Sequence, residues 1–282
     1  MFATFGRTLE LIKLSWGVLQ SDRKLIAFPL LSGLAFLVFA GVMTGIGSGI
    51  GLLDRMGSEA GLALSDIGVL AITYFGLAFV IIYFNAALAG AAMVRLAGGQ
   101  STMSEGFQMA NRRLPQIAGW ALISATVGLI LQAMRSNSRD NFLSQLVLSM
   151  IGGVWAYMTF FVVPILIVEG VGPIEAIKRS KSYFSKTWGE QLVSGFGFGI
   201  IRFIALLPAI IAAAVLSPVS PVAAMIVVVP VAGIALAVVN ALEGIFKMAL
   251  YEHVAEPQLE STFFEPQILS GAYSPGGTQA FH

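Results

Sequence analysis

The charged residues best placed for chemistry lie in the last third of this sequence. Arg202 falls inside a long apolar run, and a second run carries Asn240, Glu243 and Lys247 at spacings of three and four, which place them on one helix face. An ionisable side chain within a bilayer costs at least about 2.5 kcal/mol on insertion scales, so such residues are functional candidates by default. Counting back from Glu252, Glu243 would lie about 14 Å deep. An ion pair between Arg202 and Glu243 is therefore geometrically reasonable.

Two interpretations of these charges remain open. In the first, Arg202 and Glu243 belong to a polar pathway or to a headgroup site. In the second, Arg202 extends toward the membrane interface and Glu243 pairs with Lys247, so that each charge is satisfied without a ligand. The sequence alone favours the second, because the first four apolar runs contain no other deep charge.

A further intramembrane polar candidate, Asn85, opens a stretch of small residues at 85–92. Small residues let membrane helices approach closely, and an amide side chain can donate a hydrogen bond across the contact. The glycine runs at 45–51 and 195–199 superficially imitate nucleotide-binding loops, but both lie in or beside apolar runs with no strand before them. We expect helix packing or local helix loosening there rather than phosphate binding.

The sequence offers little for enzymatic or metal chemistry. It contains no cysteine, which excludes disulfides, thiolate metal sites and cysteine nucleophiles. Its two histidines, His253 and His282, have no partner at metal-ligand spacing. We predict no catalytic residue, no metal site, no cofactor and no enzymatic activity.

The elements that carry the polar candidates are long apolar segments. Apolar residues make up 57% of the 282 residues and charged residues only 11%, whereas soluble domains carry about 25% charge. Mean hydropathy is +0.85, which excludes a water-soluble globular enzyme, a disordered protein and a nucleic-acid binder. A bilayer crossing takes roughly 20 apolar residues. We predict an all-α, polytopic membrane protein with six transmembrane helices, at 30–53, 67–94, 116–134, 143–168, 191–216 and 222–242.

The distribution of positive charge predicts the orientation of these spans. With the N-terminus inside, Arg202 lies within a span and twelve of the sixteen Lys and Arg residues fall in the inner segments. The outer loops hold only Arg55, Arg135 and Arg139. By the positive-inside rule, both termini are expected in the cytoplasm.

Each inner segment also carries the signature of an amphipathic helix. Apolar residues recur at spacings of three and four over 2–19, a capping pattern runs from Thr102 to Glu105, and Pro173 and Glu175 suit a first helical turn. We predict three cytoplasmic-side amphipathic helices. They would lie among anionic headgroups, which favour Lys and Arg, or would pack against the ends of the spans.

The three amphipathic segments also suggest an internal repeat. Aligning them on Glu10, Glu105 and Glu175 superimposes Ser15, Ala110 and Ser180, and it brings Leu19, Leu114 and Phe184 into one register nine residues after the glutamates. Since each segment precedes two spans, we hypothesise a threefold repeat with units 1–97, 98–170 and 171–250. Together these units form a membrane domain at 1–250. Coincidence is the alternative, because any interfacial helix needs an early acid and a 3.6-residue period.

The remaining segment, 251–282, is predicted to be a cytoplasmic C-terminal tail. Beyond residue 250 the sequence is rich in proline and glycine and contains no Lys or Arg, a composition typical of segments that need a partner to become ordered. We expect a protein partner or a second copy of the chain to contact its aromatic residues Phe263, Phe264, Tyr273 and Phe281.

A motif in the middle of the chain carries a family resemblance. It runs over 164–180 as PILIVEGVGPIEAIKRS and contains Glu169, Pro173, Glu175, Ala176 and Ser180. Together with SWGVLQSDRKLIAFPLLS at 15–32, it resembles a prokaryotic family of uncharacterised six-helix integral membrane proteins over about residues 5–252. The motif alone also resembles the membrane domain attached to some glycerophosphodiester phosphodiesterases.

The resemblance implies a six-span topology in the inner membrane of a bacterium or archaeon, with no established activity. The sequence shows no long polar stretch of alternating strands and helices of the kind that the catalytic barrel of such phosphodiesterases would need. Phosphodiester hydrolysis is therefore not predicted.

Two functional hypotheses follow. The first is a scaffold or accessory subunit of a membrane complex, or a lipid-organising protein, whose partners are anionic lipids and proteins but not nucleic acid. The second is a small-molecule or lipid transporter that uses the region of Arg202 and Glu243. A cavity lined by polar residues would favour the transporter, whereas a dry, fully packed bundle would favour the scaffold.

Overall fold

A computed structural model describes residues 13, 15–56, 63–137, 142–187 and 197–255, which form helices joined by turns and contain no strand. Six segments among them are long and apolar enough to cross a membrane. They are Arg23–Gly49, Leu64–Leu96, Leu114–Arg135, Leu143–Val168, Phe198–Leu216 and Pro221–Glu252. The predicted all-α, six-span membrane fold is confirmed.

The helices follow one another in the chain with short connections. Residues 15–21 form the described part of α1, and a 3₁₀ turn at Arg23–Ile26 leads into α2. The remaining elements are α2 (Ala27–Gly49), α3 (Leu52–Met56), α4 (Leu64–Leu96), α5 (Met103–Arg112), α6 (Leu114–Asn137), α7 (Phe142–Met158), α8 (Val162–Val168), α9 (Pro173–Thr187), α10 (Gly197–Leu216) and α11 (Pro221–Ala255).

Helix α4 lies at the centre of the bundle and contacts α2, α5, α6, α8 and α11. The small-residue stretch predicted to pack is buried from Ala86 to Ala92. The close approach is evident at Gly244 of α11, where a Cβ atom would lie only 2.5 Å from a methyl carbon of Leu88. Small side chains therefore let α4 serve as the common packing partner, as expected for membrane helices.

The fourth span is broken into two helices. Helix α7 ends at Met158 and α8 begins at Val162, with Pro164 in the first turn of α8. Proline has no backbone N–H, and its ring clashes with the carbonyl four residues earlier, so the helix does not continue through this point. The N–H of Phe161 in the break instead donates to Ser180 Oγ at 2.9 Å.

The two amphipathic helices that the structure describes in full, α5 and α9, pack directly on the bundle. The predicted capping box of α5 is present, since Thr102 Oγ1 accepts from Glu105 N at 3.2 Å and Thr102 N donates to Glu105 Oε2 at 2.9 Å. Gly106 of α5 is buried against α4, and Phe184 of α9 is buried in the core. These contacts favour the second expectation, packing against the ends of the spans.

The aligned small residues of the three amphipathic segments share one environment. Ser15, Ala110 and Ser180 are each fully buried. The apolar position four residues later differs, because Leu19 and Phe184 are buried whereas Leu114 is 38% exposed at the start of α6. The repeat and its unit boundaries stay a prediction.

At the opposite end of the bundle, an ion pair joins α3 to α4. Arg55 donates to both carboxylate oxygens of Asp66 at 2.7 and 2.6 Å, and Asp66 also accepts from Ala63 N at 2.8 Å. The hydrogen bond to Asp66 raises the pKa of the Arg55 guanidinium. Sequence reasoning placed the start of the second span one residue beyond Asp66 and did not anticipate this pair.

Candidate functional site

A cavity of about 470 Å³ lies among α2, α4, α8, α10 and α11. All four intramembrane polar residues singled out from the sequence line it: Asn85 from α4, Arg202 from α10, and Asn240 and Glu243 from α11. The structure adds Lys247, and the broken fourth span contributes Thr159 and Phe160. Helix packing thus collects the polar candidates around one space.

Within this cavity, one carboxylate joins two cations. Arg202 Nη2 donates to Glu243 Oε2 at 2.9 Å and to Asn240 Oδ1 at 3.1 Å. Lys247 Nζ donates to the other carboxylate oxygen of Glu243 at 2.7 Å. Both pairings considered from the sequence are therefore present at once, since Glu243 binds Arg202 across two helices and Lys247 along its own helix.

The cluster has spare donors and an excess of positive charge. Two cations face one carboxylate, which leaves a formal charge of +1. Among the residues that the structure describes, Arg202 uses only Nη2, so Nη1 and Nε donate to no protein group. The Lys247 ammonium lies 5.2 Å from the centre of the Phe160 ring, which adds a cation–π contact. The arrangement can accept an additional anionic or hydrogen-bond-accepting group.

The rest of the cavity wall is largely apolar. Helix α2 contributes one face that includes Pro29, Gly33 and Phe36, and α11 contributes Gly233 and Leu236. A Cβ atom built on Gly33 or on Gly233 would meet no atom within 4 Å. These two glycines therefore border open space rather than a packed neighbour.

The position of the cluster along the helices places it in one half of the bundle. Arg202 lies five residues after the start of α10, and Glu243 lies twelve residues before the end of α11. At 1.5 Å per residue, these offsets correspond to about 8 Å and about 18 Å. The end of α11 also contacts α9, so the cluster lies in the half of the bundle that carries the amphipathic helices.

The family-like motif forms a separate junction between α8, α9 and α11. Glu169, at the end of α8, accepts hydrogen bonds from Arg179 at 2.5 Å, Tyr251 at 2.9 Å and Tyr183 at 3.2 Å. Glu175 pairs with Arg179 at 3.1 Å. The hydrogen bond to Glu169 is the main reason that the pKa of Arg179 is raised, and burial raises the pKa of Tyr183.

The other motif residues shape the path of the chain into α9. Gly170 ends α8 with a φ of +65°, where a Cβ atom would also collide with the Arg113 guanidinium. Pro173 begins α9, and Ala176 and Ser180 are fully buried. These four residues position α9 and the helix break and do not line the cavity, whereas Pro164 at the start of the motif does.

Two further predictions from the sequence concern metal binding and the C-terminal tail. Within the described ranges, no group of three or more histidine, aspartate or glutamate side chains could hold a metal ion. The tail residues proposed to contact a partner lie outside the described residues, so that expectation stays a prediction. They are Phe263, Phe264, Tyr273 and Phe281.

Fold and site together define a class, that of polytopic all-α membrane proteins with a polar cavity between the helices. Residues 64–260 match the Family of unknown function (DUF6159), and the chain belongs to this family. The match includes Asn85, Arg202 and Glu243 and excludes the α2 wall of the cavity. No curated protein matches the chain.

Proposed function

We propose that the protein binds an anionic small molecule or lipid in the cavity around Arg202 and Glu243, as the binding step of a transporter. The observation that carries this proposal is the convergence of Asn85, Arg202, Asn240 and Glu243 on one open space. A scaffold needs no such space, because charged groups buried for stability alone would be enclosed by close packing. The geometry therefore supports the second sequence hypothesis over the first.

The charge of the cluster favours an anion. Glu243 holds both Arg202 and Lys247 in place, so their side chains are ordered before a ligand arrives. Charge-assisted hydrogen bonds from such pre-positioned cations are roughly twice as strong as neutral ones. An anion would bring the net charge of the group to zero, which lowers the cost of holding it among apolar helices.

The broken fourth span supports a transport role. Thr159 and Phe160 lie in the break and also line the cavity. Transporters commonly form their substrate sites at interrupted helices, where unwound backbone faces a cavity instead of lipid. The same break would give the cavity wall a point at which α7 and α8 can move separately.

Location and orientation belong to the same proposal. We place the protein in the inner membrane of a bacterium or archaeon, with both termini and helices α5 and α9 in the cytoplasm. The support is the unequal distribution of Lys and Arg between the two sides of the spans. The cluster would then lie in the cytoplasmic half of the bilayer.

Extraction in mild detergent followed by native mass spectrometry tests the binding step. We expect wild-type protein to retain a bound anionic species and the Arg202→Gln variant to lose it by about tenfold or more, because a hydrogen bond to a charged group contributes about 1.5–3 kcal/mol. Arg112→Gln is the matched control, since Arg112 is an exposed cation of α5 outside the cavity.

Equal retention by the two variants would contradict the proposal. The accessory-subunit hypothesis would be supported instead if one stoichiometric protein is recovered and no small molecule or lipid is retained in a manner that depends on Arg202.

A further inference from the structure

The chemical class of the ligand follows from the contrast between the charged cluster and the rest of the wall. The cluster presents donors of Arg202 and Lys247 with one net positive charge, which suits a singly charged anion with several acceptor oxygens. Arginine and lysine are the side chains that most often bind phosphate groups. A phosphodiester, with one negative charge and two free oxygens, matches both the charge and the donors.

The apolar part of the cavity wall favours a ligand that has a hydrocarbon chain in addition to its anionic group. Pro29, Phe36, Ile81 and Leu236 line the cavity beside the cluster. A small, fully polar molecule would leave this surface without an apolar neighbour, whereas a hydrocarbon chain would restore its van der Waals contacts. The two parts of the wall together fit an amphiphile.

The packing of α10 provides a route from the bilayer. Among the described elements, α10 packs mainly against α11, and Arg202 is its one residue at the cavity. Helices α2 and α10 both line the cavity, yet they are not among the described helix pairs that pack extensively on each other. Arg202 is 44% exposed, and both helices carry large exposed apolar side chains, including Leu34, Leu37, Phe203 and Ile204. A molecule with a lipid chain can therefore approach the cluster between α2 and α10.

We infer that the ligand is a membrane amphiphile with one negative charge, of the phosphodiester lipid type. It enters between α2 and α10, places its anionic group on Arg202 and Lys247, and lays its hydrocarbon chain along α2. This inference rests on the proposed binding function and narrows it to a lipid that reaches the cavity from the side.

Titrations of the purified protein, followed by native mass spectrometry, test the ligand class. The three probes are phosphatidylglycerol, which carries one net negative charge, phosphatidylcholine, which has the same phosphodiester but no net charge, and inorganic phosphate, which has no chain. We expect one phosphatidylglycerol to bind at least tenfold more tightly than phosphatidylcholine. Inorganic phosphate should neither bind nor displace it at equal concentration.

Filling the cavity should abolish the same binding without disturbing the fold. Gly233→Leu places a side chain in the open space beside the cluster, and Gly33→Leu does so from the α2 wall. Each should weaken phosphatidylglycerol binding by tenfold or more. Gly41→Leu is the matched control, because Gly41 of α2 is equally open but does not line the cavity. If one occluding variant fails to fold, the other still tests the site.

The possible failures are distinguishable. If inorganic phosphate binds in a manner that depends on Arg202 and phosphatidylglycerol has no advantage, the lipid inference is wrong and the anion-binding function stands. If phosphatidylglycerol binds equally to wild type, Arg202→Gln and both occluding variants, it is an annular lipid and the lipid inference is wrong. If none of the probes binds, the lipid inference is wrong as well. In both cases the proposed function stands only if wild type retains a co-purifying anion that Arg202→Gln loses, and it fails if the two proteins retain it equally.

Discussion

Glu243 is the residue on which the cavity cluster depends, because each of its carboxylate oxygens holds a different cation. Arg202 approaches from α10, and Lys247 approaches from one turn further along α11. Removing the carboxylate charge would leave two cations facing each other without compensation. Glu243 is therefore a positioning residue for Arg202 and Lys247, and it would meet the anion only through them.

The variant Glu243→Gln should be destabilised by about 1–3 kcal/mol, the cost of leaving a partly buried charged group without its partner. The measurement is the thermal unfolding midpoint of the purified protein, followed by intrinsic fluorescence. Glu175→Gln is the control, since Glu175 forms an exposed pair with Arg179 within one helix, which contributes about 0.3–0.5 kcal/mol. Equal shifts for the two variants would show that the cluster does not depend on Glu243.

Residue types in the sequence identified most of the polar residues at the cavity, but they did not indicate that Asn85 and Thr159 belong there. Arg202, Asn240 and Glu243 stood out because polar groups are rare in apolar runs. Asn85 was singled out as a packing residue, and only its position on α4 opposite α11 brings it to the same cavity. Thr159 could not be selected, because a hydroxyl in an apolar run is common and can bond to its own helix, as it does to Trp155 O at 2.8 Å.

At the scale of elements, the broken fourth span is the feature that links the family-like motif to the cavity. The motif holds α9 against α8 and α11, and Ser180 of α9 accepts the otherwise unpaired N–H of Phe161 in the break. The adjacent residues Thr159 and Phe160 face the cavity. Apart from Pro164, which itself lines the cavity, the motif thus acts on the site indirectly, by fixing the backbone from which part of the wall is built.

The variant Ser180→Ala removes the acceptor from a buried N–H, so it should cost about 1–3 kcal/mol of stability. Ser182→Ala provides the control, because Ser182 is exposed on the same helix. Thermal unfolding should separate the two variants, with a clear loss for the first and little change for the second. A Ser180 variant as stable as the Ser182 variant would mean that the break does not need this bond.

Element boundaries differ from the expectation where local geometry overrides hydropathy. The first span was predicted to reach residue 53, but α2 ends at Gly49, and Gly51 turns the chain with a φ of +72°. The last span was predicted to end at 242, but α11 continues to Ala255. Its polar residues do not end the helix, because Glu243 and Lys247 pair with each other along it.

At the scale of the whole molecule, the orientation proposed for the protein rests on the unequal distribution of Lys and Arg between the two ends of the spans. Helices α5 and α9 pack at the end of the bundle that holds the predicted cytoplasmic charges, including Lys178. Arg135, at the end of α6, lies on the opposite side of the spans. With an even number of crossings, both termini would then lie on the side of α5 and α9.

This orientation can be tested directly, because the chain contains no cysteine and single-cysteine variants need no further background changes. Added to intact cells, a membrane-impermeant maleimide should label Arg135→Cys and leave Lys178→Cys unlabelled. Both residues are exposed, so both variants should react after the membrane is opened. The reverse pattern in intact cells would place the termini outside.

The sequence by itself determined the features that depend on neighbours along the chain. Six apolar lengths and the capping box at Thr102 follow from hydropathy, spacing and the chemistry of single residues within a few turns. The break near Pro164 does not, because Pro208 and Pro230 lie inside unbroken helices. The tertiary structure alone decided which residues far apart in the chain share a space. Arg202, Asn85 and Pro29 line one cavity because α2, α4 and α10 all pack against α11, and helix periodicity contains no information about which helices become neighbours.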